Sequence, residues 1–422
     1  MKKLLAIITI AVALTACHSS DNDEPTEKAH PQRTVIIYMA AENNLSIHAW
    51  NNLLLMKEGS RQLNDNQCLL VYVDRSHESE LPYLARLSQG QVTDSVSLAD
   101  MNISSKDEYA SDPHVFEDVL RYAVSRYPAS QDCGLVLWGH SSGWMMEDSL
   151  LYTRGYGFDN GHNDLQTATG YWLNIPTMNK ILKKIPAKWS FIMGDCCHFA
   201  CLENVYELRH TADYIIGSAA EIPSKGAPYD KILADFFLPT ETACKNIIDK
   251  YYSHVYATSF MQKAQPLVAI KTSEMDQLAT TTRYALQAVK DSLDRSHADY
   301  PDMKGIIHYL YADNHALLPH NPAYNIFYDA GDFIRHYTPS DVYTSWKLSL
   351  ERAIVYRRMA TEWNTQMAWD TFYNDFKITD ENYHGVSMFI PQDPTAGNYA
   401  KYNQDIKKMS WYEAVGLDSL CH

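Results

Sequence analysis

Five short runs of almost unbroken apolar residues set the strongest limit on how this chain can fold. They lie at 34–40 (TVIIYMA), 68–73 (CLLVYV), 134–138 (GLVLW), 189–193 (WSFIM) and 214–218 (YIIGS), and polar residues and a helix-like stretch follow each. A strand with one face in water alternates apolar and polar residues. A continuously apolar strand is buried on both faces, as in a parallel sheet covered by helices. Between the runs, 112–127 places Phe116, Leu120, Ala123, Val124 and Tyr127 on one helical stripe, and 175–185 and 199–210 read similarly. The expected class is therefore α/β, with a mostly parallel open sheet flanked by helices. In such sheets sites gather at the carboxyl ends of the strands.

The two ends of the chain read differently. Lys2 and Lys3 precede an apolar run of 11 residues, 4–14. That is too short to span a bilayer, which needs about 20, and it fits an export signal. The run closes on Leu14-Thr15-Ala16-Cys17, which resembles a bacterial lipobox. The resemblance implies cleavage before Cys17 and lipid on its sulfur. The acidic patch Asp21-Asn22-Asp23-Glu24 resembles surface-export signals of Bacteroidetes lipoproteins. The expected location is thus the outer membrane, lipid-anchored and facing the cell surface. Residues 18–33 contain no large apolar side chain and read as a flexible acidic tether. Residues 34–275 hold the βα pattern and make the expected main domain. Residues 276–422 are mainly helical apart from a strand-like piece at 385–391, and are expected to pack on it as a smaller subdomain.

The net charge is −15, and loss of Lys2 and Lys3 with the signal takes it to −17. So acidic a chain lacks the basic face a phosphate backbone requires, which excludes nucleic acid as the expected partner. A monomer is expected. Of the 8 Cys, Cys17 is assigned to lipid and seven remain. An odd number in an exported protein leaves at least one thiol free. Cys68 and Cys133 sit in strand-like runs, where a small buried hydrophobe is the ordinary role.

Two strand ends carry chemistry. Trp138-Gly139-His140-Ser141-Ser142-Gly143-Trp144 follows one apolar run, and Gly194-Asp195-Cys196-Cys197-His198 follows another. A His and a Cys on neighbouring strand ends can meet, and a thiol needs a base or cation beside it to act as a nucleophile. Segment 147–172 carries four Gly and little periodicity, and reads as a long loop of the kind that is often functional.

W-x-H-x-x-G-W at 138–144 and D-x-C at 195–197 resemble the two signatures of clostripain-like cysteine peptidases. Tyr38-Met39-Ala40-Ala41-Glu42-Asn43-Asn44-Leu45 is similar to a third, with Glu42 where the family has Asp. Fainter echoes are 127–129, Glu203 and 385–391. The resemblance implies a caspase-like sheet, shared with legumains and gingipains. It implies Cys197 as nucleophile, His140 as its partner, and backbone N–H groups of Ser141 and Cys197 for the oxyanion. Asp195 would line the primary pocket and favour Arg or Lys before the cleaved bond. It further implies self-cleavage in the loop after the His, where Arg154-Gly155 supplies one basic residue. The expected partner is a peptide or protein substrate and no cofactor is expected; the sequence shows no EF-hand-like loop, so no structural calcium is expected either. Three departures stand out. Ser141-Ser142 replaces the usual Gly-Gly, Cys196 fills a position that is normally small, and Lys225 lies near the place of an acidic pocket residue.

Other readings fit single segments. Gly139-His140-Ser141-Ser142-Gly143 also spells the G-x-S-x-G elbow of serine α/β-hydrolases, with Ser141 as nucleophile. Cys196, Cys197, His198 and Cys201 could ligate zinc. His198 could replace His140 as the base, though neighbouring side chains diverge on an extended backbone. Glu42 could cap the next helix or line the cleft. A non-catalytic lipoprotein that binds peptides or glycans would need neither His140 nor Cys197.

Overall fold

A computed structural model describes residues 30–76, 80–146, 155–161, 170–258, 266–309, 326–359, 364–367, 370–373, 379 and 381–420. Cys17 and Arg154 lie outside the described residues.

The nine-stranded sheet runs β12-β10-β9-β8-β5-β1-β2-β3-β4. Its strands are β1 Arg33–Ala41, β2 Gln67–Arg75, β3 Tyr83–Ser88, β4 Gln91–Ser97, β5 Asp132–Gly139, β8 Trp189–Asp195, β9 Ala212–Gly217, β10 Leu267–Lys271 and β12 Ile354–Arg358. A small hairpin, β6 Tyr156–Asp159 with β7 Tyr171–Leu173, lies within the stretch read as loop, and β11 Tyr328–Asp329 pairs with Ser387–Met388. The five apolar runs are β2, β1, β5, β8 and β9, and these are the five parallel strands. The outer strands on both sides pair antiparallel.

Both faces of the sheet are covered, which is why its central strands are continuously apolar. Along β1, Ile36, Tyr38 and Ala40 enter one hydrophobic core, while Val35, Ile37, Met39 and Ala41 enter the other. The first face is covered by α2 Pro113–Arg126, α3 Ile175–Leu182, α4 Leu202–Glu207, α7 Met275–Ser296 and α9 Ser340–Ala353. The second is covered by α1 Ser46–Gly59, α5 Tyr229–Ile232 and α6 Thr240–Thr258. Helix α2 begins where Asp112 accepts from the backbone N–H of His114 and Val115, with Pro113 at its first position.

Two sequence expectations change. The helix expected over 199–210 starts only at Leu202, because His198 takes a left-handed φ of 54°, residues 197–200 form a turn and Cys201 bridges to Ser387. The strand expected over 385–391 reduces to Ser387–Met388. Strand β12, from the mainly helical C-terminal stretch, joins the edge of the central sheet.

Candidate active site

The site is built by register. In the parallel pair β5–β8, Trp138 stands opposite Asp195. His140 and Cys197 each follow two residues later, so neighbouring strand ends deliver both at the same level. On the other side of β5, Ala40 of β1 stands opposite Gly139, which brings Asn43 and Asn44 to the same edge. Strand β9 leads into the loop 218–226. A cavity with room for about 400 Å³ opens between these ends. Asn44, Leu45, Trp138, Gly139, His140, Asp195, Cys197, Ile222, Pro223, Ser224 and Gly226 line it.

His140 is half-buried, and its Nε2 lies 2.6 Å from Asn44 Oδ1. A carbonyl oxygen only accepts, so Nε2 carries the proton and Nδ1 is the basic nitrogen. Phe158 of β6 packs edge-on against the imidazole at 6.2 Å between centroids. The Gly157 N–H donates to the His140 carbonyl at 2.8 Å. Asn43 holds the loop from inside, donating to the Phe158 carbonyl at 2.6 Å and accepting from the Leu45 N–H at 2.8 Å. Asn44 was visible only as part of the Tyr38–Leu45 motif. Its contact with His140 needs the β1–β5 pairing.

Cys197 is half-buried in the turn after β8, whereas Cys196 is fully buried in the core. Burial, then the nearby Glu221, pushes the Cys197 thiol up to about 12. Burial alone pushes the His140 imidazole down to about 4. At neutral pH the site therefore holds a neutral thiol and a neutral imidazole. The six Cys within the described residues are all free thiols.

Asp195 is buried at the edge of the cavity. Its Oδ2 accepts from Ala227 N–H at 3.0 Å and Tyr229 O–H at 2.8 Å, and its Oδ1 from Tyr251 O–H at 2.8 Å. The carboxylate thus ties the loop 221–229 to the end of β8. Burial raises its pKa, and the three donors oppose that rise. The Trp138 indole N–H donates to Asn52 Oδ1 at 2.8 Å, and Asn52 Nδ2 donates to the Lys225 carbonyl at 2.7 Å. Gly226, at φ +67°, passes so close that a Cβ there would sit 2.5 Å from Asn52 Oδ1. The exposed Lys225 is not among the lining residues, and its charge is felt by His48 and His254.

The remaining candidates separate. Ser141 is buried, its hydroxyl accepts from Gly143 N–H at 3.3 Å and meets Cys196, and it does not line the cavity. His198 is buried too. Its Nδ1 lies 3.0 Å from the Ala219 carbonyl, and its ring is outside the lining. The side chains of Cys197 and His198 part here through the left-handed turn at His198, φ 54°, and not through the extended backbone expected from the sequence. Among the described residues, Cys196, Cys197, His198 and Cys201 do not converge as metal ligands. A different grouping does: Glu42, Asp74 and Asp107 each offer an oxygen within 4.8 Å of the others, a geometry that could hold a cation. Glu42 is therefore buried in a carboxylate cluster and neither caps α1 nor lines the cavity. Gly155 is held beside the His140 loop, its N–H donating to Ser142 Oγ and its carbonyl accepting from Ser142 N–H, both at 2.9 Å.

Comparison with known proteins agrees with this fold. The sequence profile described as the Clostripain family matches residues 37–421. Comparison with curated proteins gives no match. Among solved structures, a secreted C11 cysteine protease from Bacteroides thetaiotaomicron, in complex with an irreversible peptide inhibitor, is 24% identical with a TM-score of 0.71. An inactive zymogen C11 protease from Parabacteroides distasonis is 26% identical, also at 0.71. Each match covers 92% of this chain and 99% of the other. No helix among the described residues is long and apolar enough to cross a membrane. A family match over nearly the whole chain, on a mostly parallel sheet of caspase-like form, makes this protein a member of the clostripain family of cysteine proteases.

Proposed function

We propose that the protein is a cysteine endopeptidase working through a Cys197–His140 dyad. The observation that carries the reading is that one cavity is lined by both residues, delivered in register by adjoining strands. The thiol proton passes to His140 Nδ1 as Cys197 Sγ bonds to the scissile carbonyl carbon, and His140 then gives that proton to the leaving amine as the C–N bond breaks. Water hydrolyses the resulting thioester and restores the thiol. The N–H groups of Ser141 and Cys197 serve the oxyanion, and neither is used in the backbone hydrogen bonding of the described residues. Because the resting pair is neutral, deprotonation accompanies attack. Asn44 fixes the tautomer that makes this possible.

Asp195 sets a preference for Arg or Lys before the cleaved bond, through its negative charge at the cavity edge. Its three existing hydrogen bonds make this a field effect more than a free bidentate pair. Maturation by self-cleavage after Arg154 fits the zymogen described for the Parabacteroides distasonis protein. Lipid on Cys17 would hold a monomeric enzyme at the outer membrane, facing peptide or protein substrates, and no cofactor is needed for the dyad. Partition of the mature protein into detergent, lost in Cys17→Ser, tests the anchor.

The dyad is tested by profiling cleavage of a mixed peptide library. Cys197→Ala should remove all cleavage, and His140→Ala should lower kcat by about 10²–10⁴-fold while the protein still folds. A fully active His140→Ala enzyme would sink the assignment. Equal cleavage after Leu and Arg would sink the role of Asp195.

A further inference from the structure

Phe327 touches both loops that carry the dyad. Its ring lies flat on the His198 imidazole, with centroids 4.2 Å apart and planes 3° apart, and His198 directly follows Cys197. The same ring fills the space beside Gly143, three residues after His140. A Cβ at Gly143 would stand 2.7 Å from Phe327 Cε1 and 3.1 Å from the His198 carbonyl. The glycine of the W-x-H-x-x-G-W motif is thus required both by its own φ of +66° and by an aromatic side chain 184 residues further along the chain.

The contact acts on a strained position. His198 has φ +54°, a left-handed conformation that a residue with a Cβ keeps only where its surroundings offset the strain. Here its N–H donates to the Ala220 carbonyl at 3.0 Å, its Nδ1 meets the Ala219 carbonyl, and Phe327 covers its face. Phe327 is itself rigidly mounted. Its carbonyl accepts from Tyr309 N–H at 2.8 Å. Two residues on, buried Asp329 bonds His384 Nδ1 at 2.7 Å and Tyr309 O–H at 2.5 Å.

We propose that Phe327 is a positioning residue for catalysis, a spacer from the C-terminal part of the chain that sets the separation between the His140 loop and the Cys197 turn. The inference rests on the Cys197–His140 reading. It makes the residues after 275 part of the active centre, not only a cover for the sheet.

The test uses the full-length mature protein. Active sites are first titrated with an irreversible peptide inhibitor, and the labelled residue is identified by mass spectrometry. A wild-type enzyme not labelled at Cys197 overturns both readings. With Cys197 labelled, kcat and KM per titrated site are compared for Phe327→Leu, His198→Gly and the double variant. Leu keeps most of the volume and loses the stack, and Gly removes the ring on which Phe327 rests and leaves the turn free to depart from φ +54°. A misplacement of about 1 Å can cost about 10²-fold in rate. Phe327→Leu is therefore expected to lower kcat by about 10–100-fold with KM within about threefold, and the double variant should be no worse than the poorer single one. A merely structural role would lower the number of titrated sites and leave kcat per site unchanged, and that result overturns the proposal. Losses that multiply in the double variant overturn it too. If Phe327→Leu does not accumulate, His198→Gly decides, and wild-type kcat in that variant refutes the stack's role.

Discussion

His140 Nε2 lies 2.6 Å from Asn44 Oδ1, so a residue of the first strand end fixes the tautomer of a residue on the next. The burial of this ring predicts a pH profile. Burial holds the His140 imidazole at about 4, below the ordinary histidine range. Below that pH the ring is protonated and takes no proton from Cys197, so activity should fall on the acid side near pH 4 and not near 6.5. Asn44→Asp would place a carboxylate on the ring and favour the imidazolium, moving this limb upward. Asn44→Ala should lower kcat by about 10–100-fold through lost orientation. Rates of peptide hydrolysis from pH 3 to 9 check all three. An acid limb unmoved in Asn44→Asp would show that the contact does not form in solution.

The two adjacent thiols should behave oppositely. Cys196 is wholly buried against Ser141 in the core, and Cys197 lines the cavity. Cys196→Ala should keep most activity and lose about 1 kcal/mol of stability, the common cost of trimming a buried side chain. Cys197→Ala should have no activity and near-normal stability. Activity assays with thermal melts of both variants decide, and a dead Cys196→Ala would shift the nucleophile by one residue.

Self-cleavage should leave Gly155 as a new N-terminus. Ser142 grips Gly155 on both its N–H and its carbonyl, beside the His140 loop, so the residue after the cut is already held close to the site. Purified protein should convert with time into two fragments, while Cys197→Ala stays whole. N-terminal sequencing gives the answer, and an uncut Arg154→Ala protein with full activity would remove the loop as a gate.

Asp159, a buried neighbour of the Glu42, Asp74 and Asp107 cluster, should with Asp74 make stability fall as pH rises. Asp74 and Asp159 share the Ala110 N–H, at 3.1 and 2.5 Å. Burial, then mutual repulsion, raises the Asp74 pKa, and burial pushes Asp159 up to about 6. An acid whose folded pKa is raised binds protons that the unfolded chain has released. Its contribution to stability is therefore lost as pH rises from the ordinary carboxylate range through about 6. Asp74→Asn supplies a fixed donor to Asp159 and should flatten melting temperature over that window. A variant with the same pH slope as the parent would refute the account.

The sequence by itself determined the central sheet, because a strand buried on both faces has no polar side to show. All five apolar runs became the parallel strands, in contrast with β3, β4, β10 and β12, which pair antiparallel toward the edges. It also marked the two strand ends, since W-x-H-x-x-G-W and D-x-C are local strings read without any contact. Tertiary structure alone decided what those strings touch. The pairing of Trp138 with Asp195 sets His140 and Cys197 level, the β1–β5 pairing brings Asn44 to the imidazole, and the left-handed turn at His198 cut short a helix that periodicity predicted. Asp195 reads in the sequence as a residue lining the pocket, and the fold has it accept from Ala227, Tyr229 and Tyr251. Phe327 carries no local signal, because an aromatic in an apolar stretch reads as core until its ring is seen against Gly143 and His198. Periodicity reports which faces are buried. Contacts between residues far apart in the chain depend on strand order and turn geometry, and these are fixed only when the whole sheet is assembled.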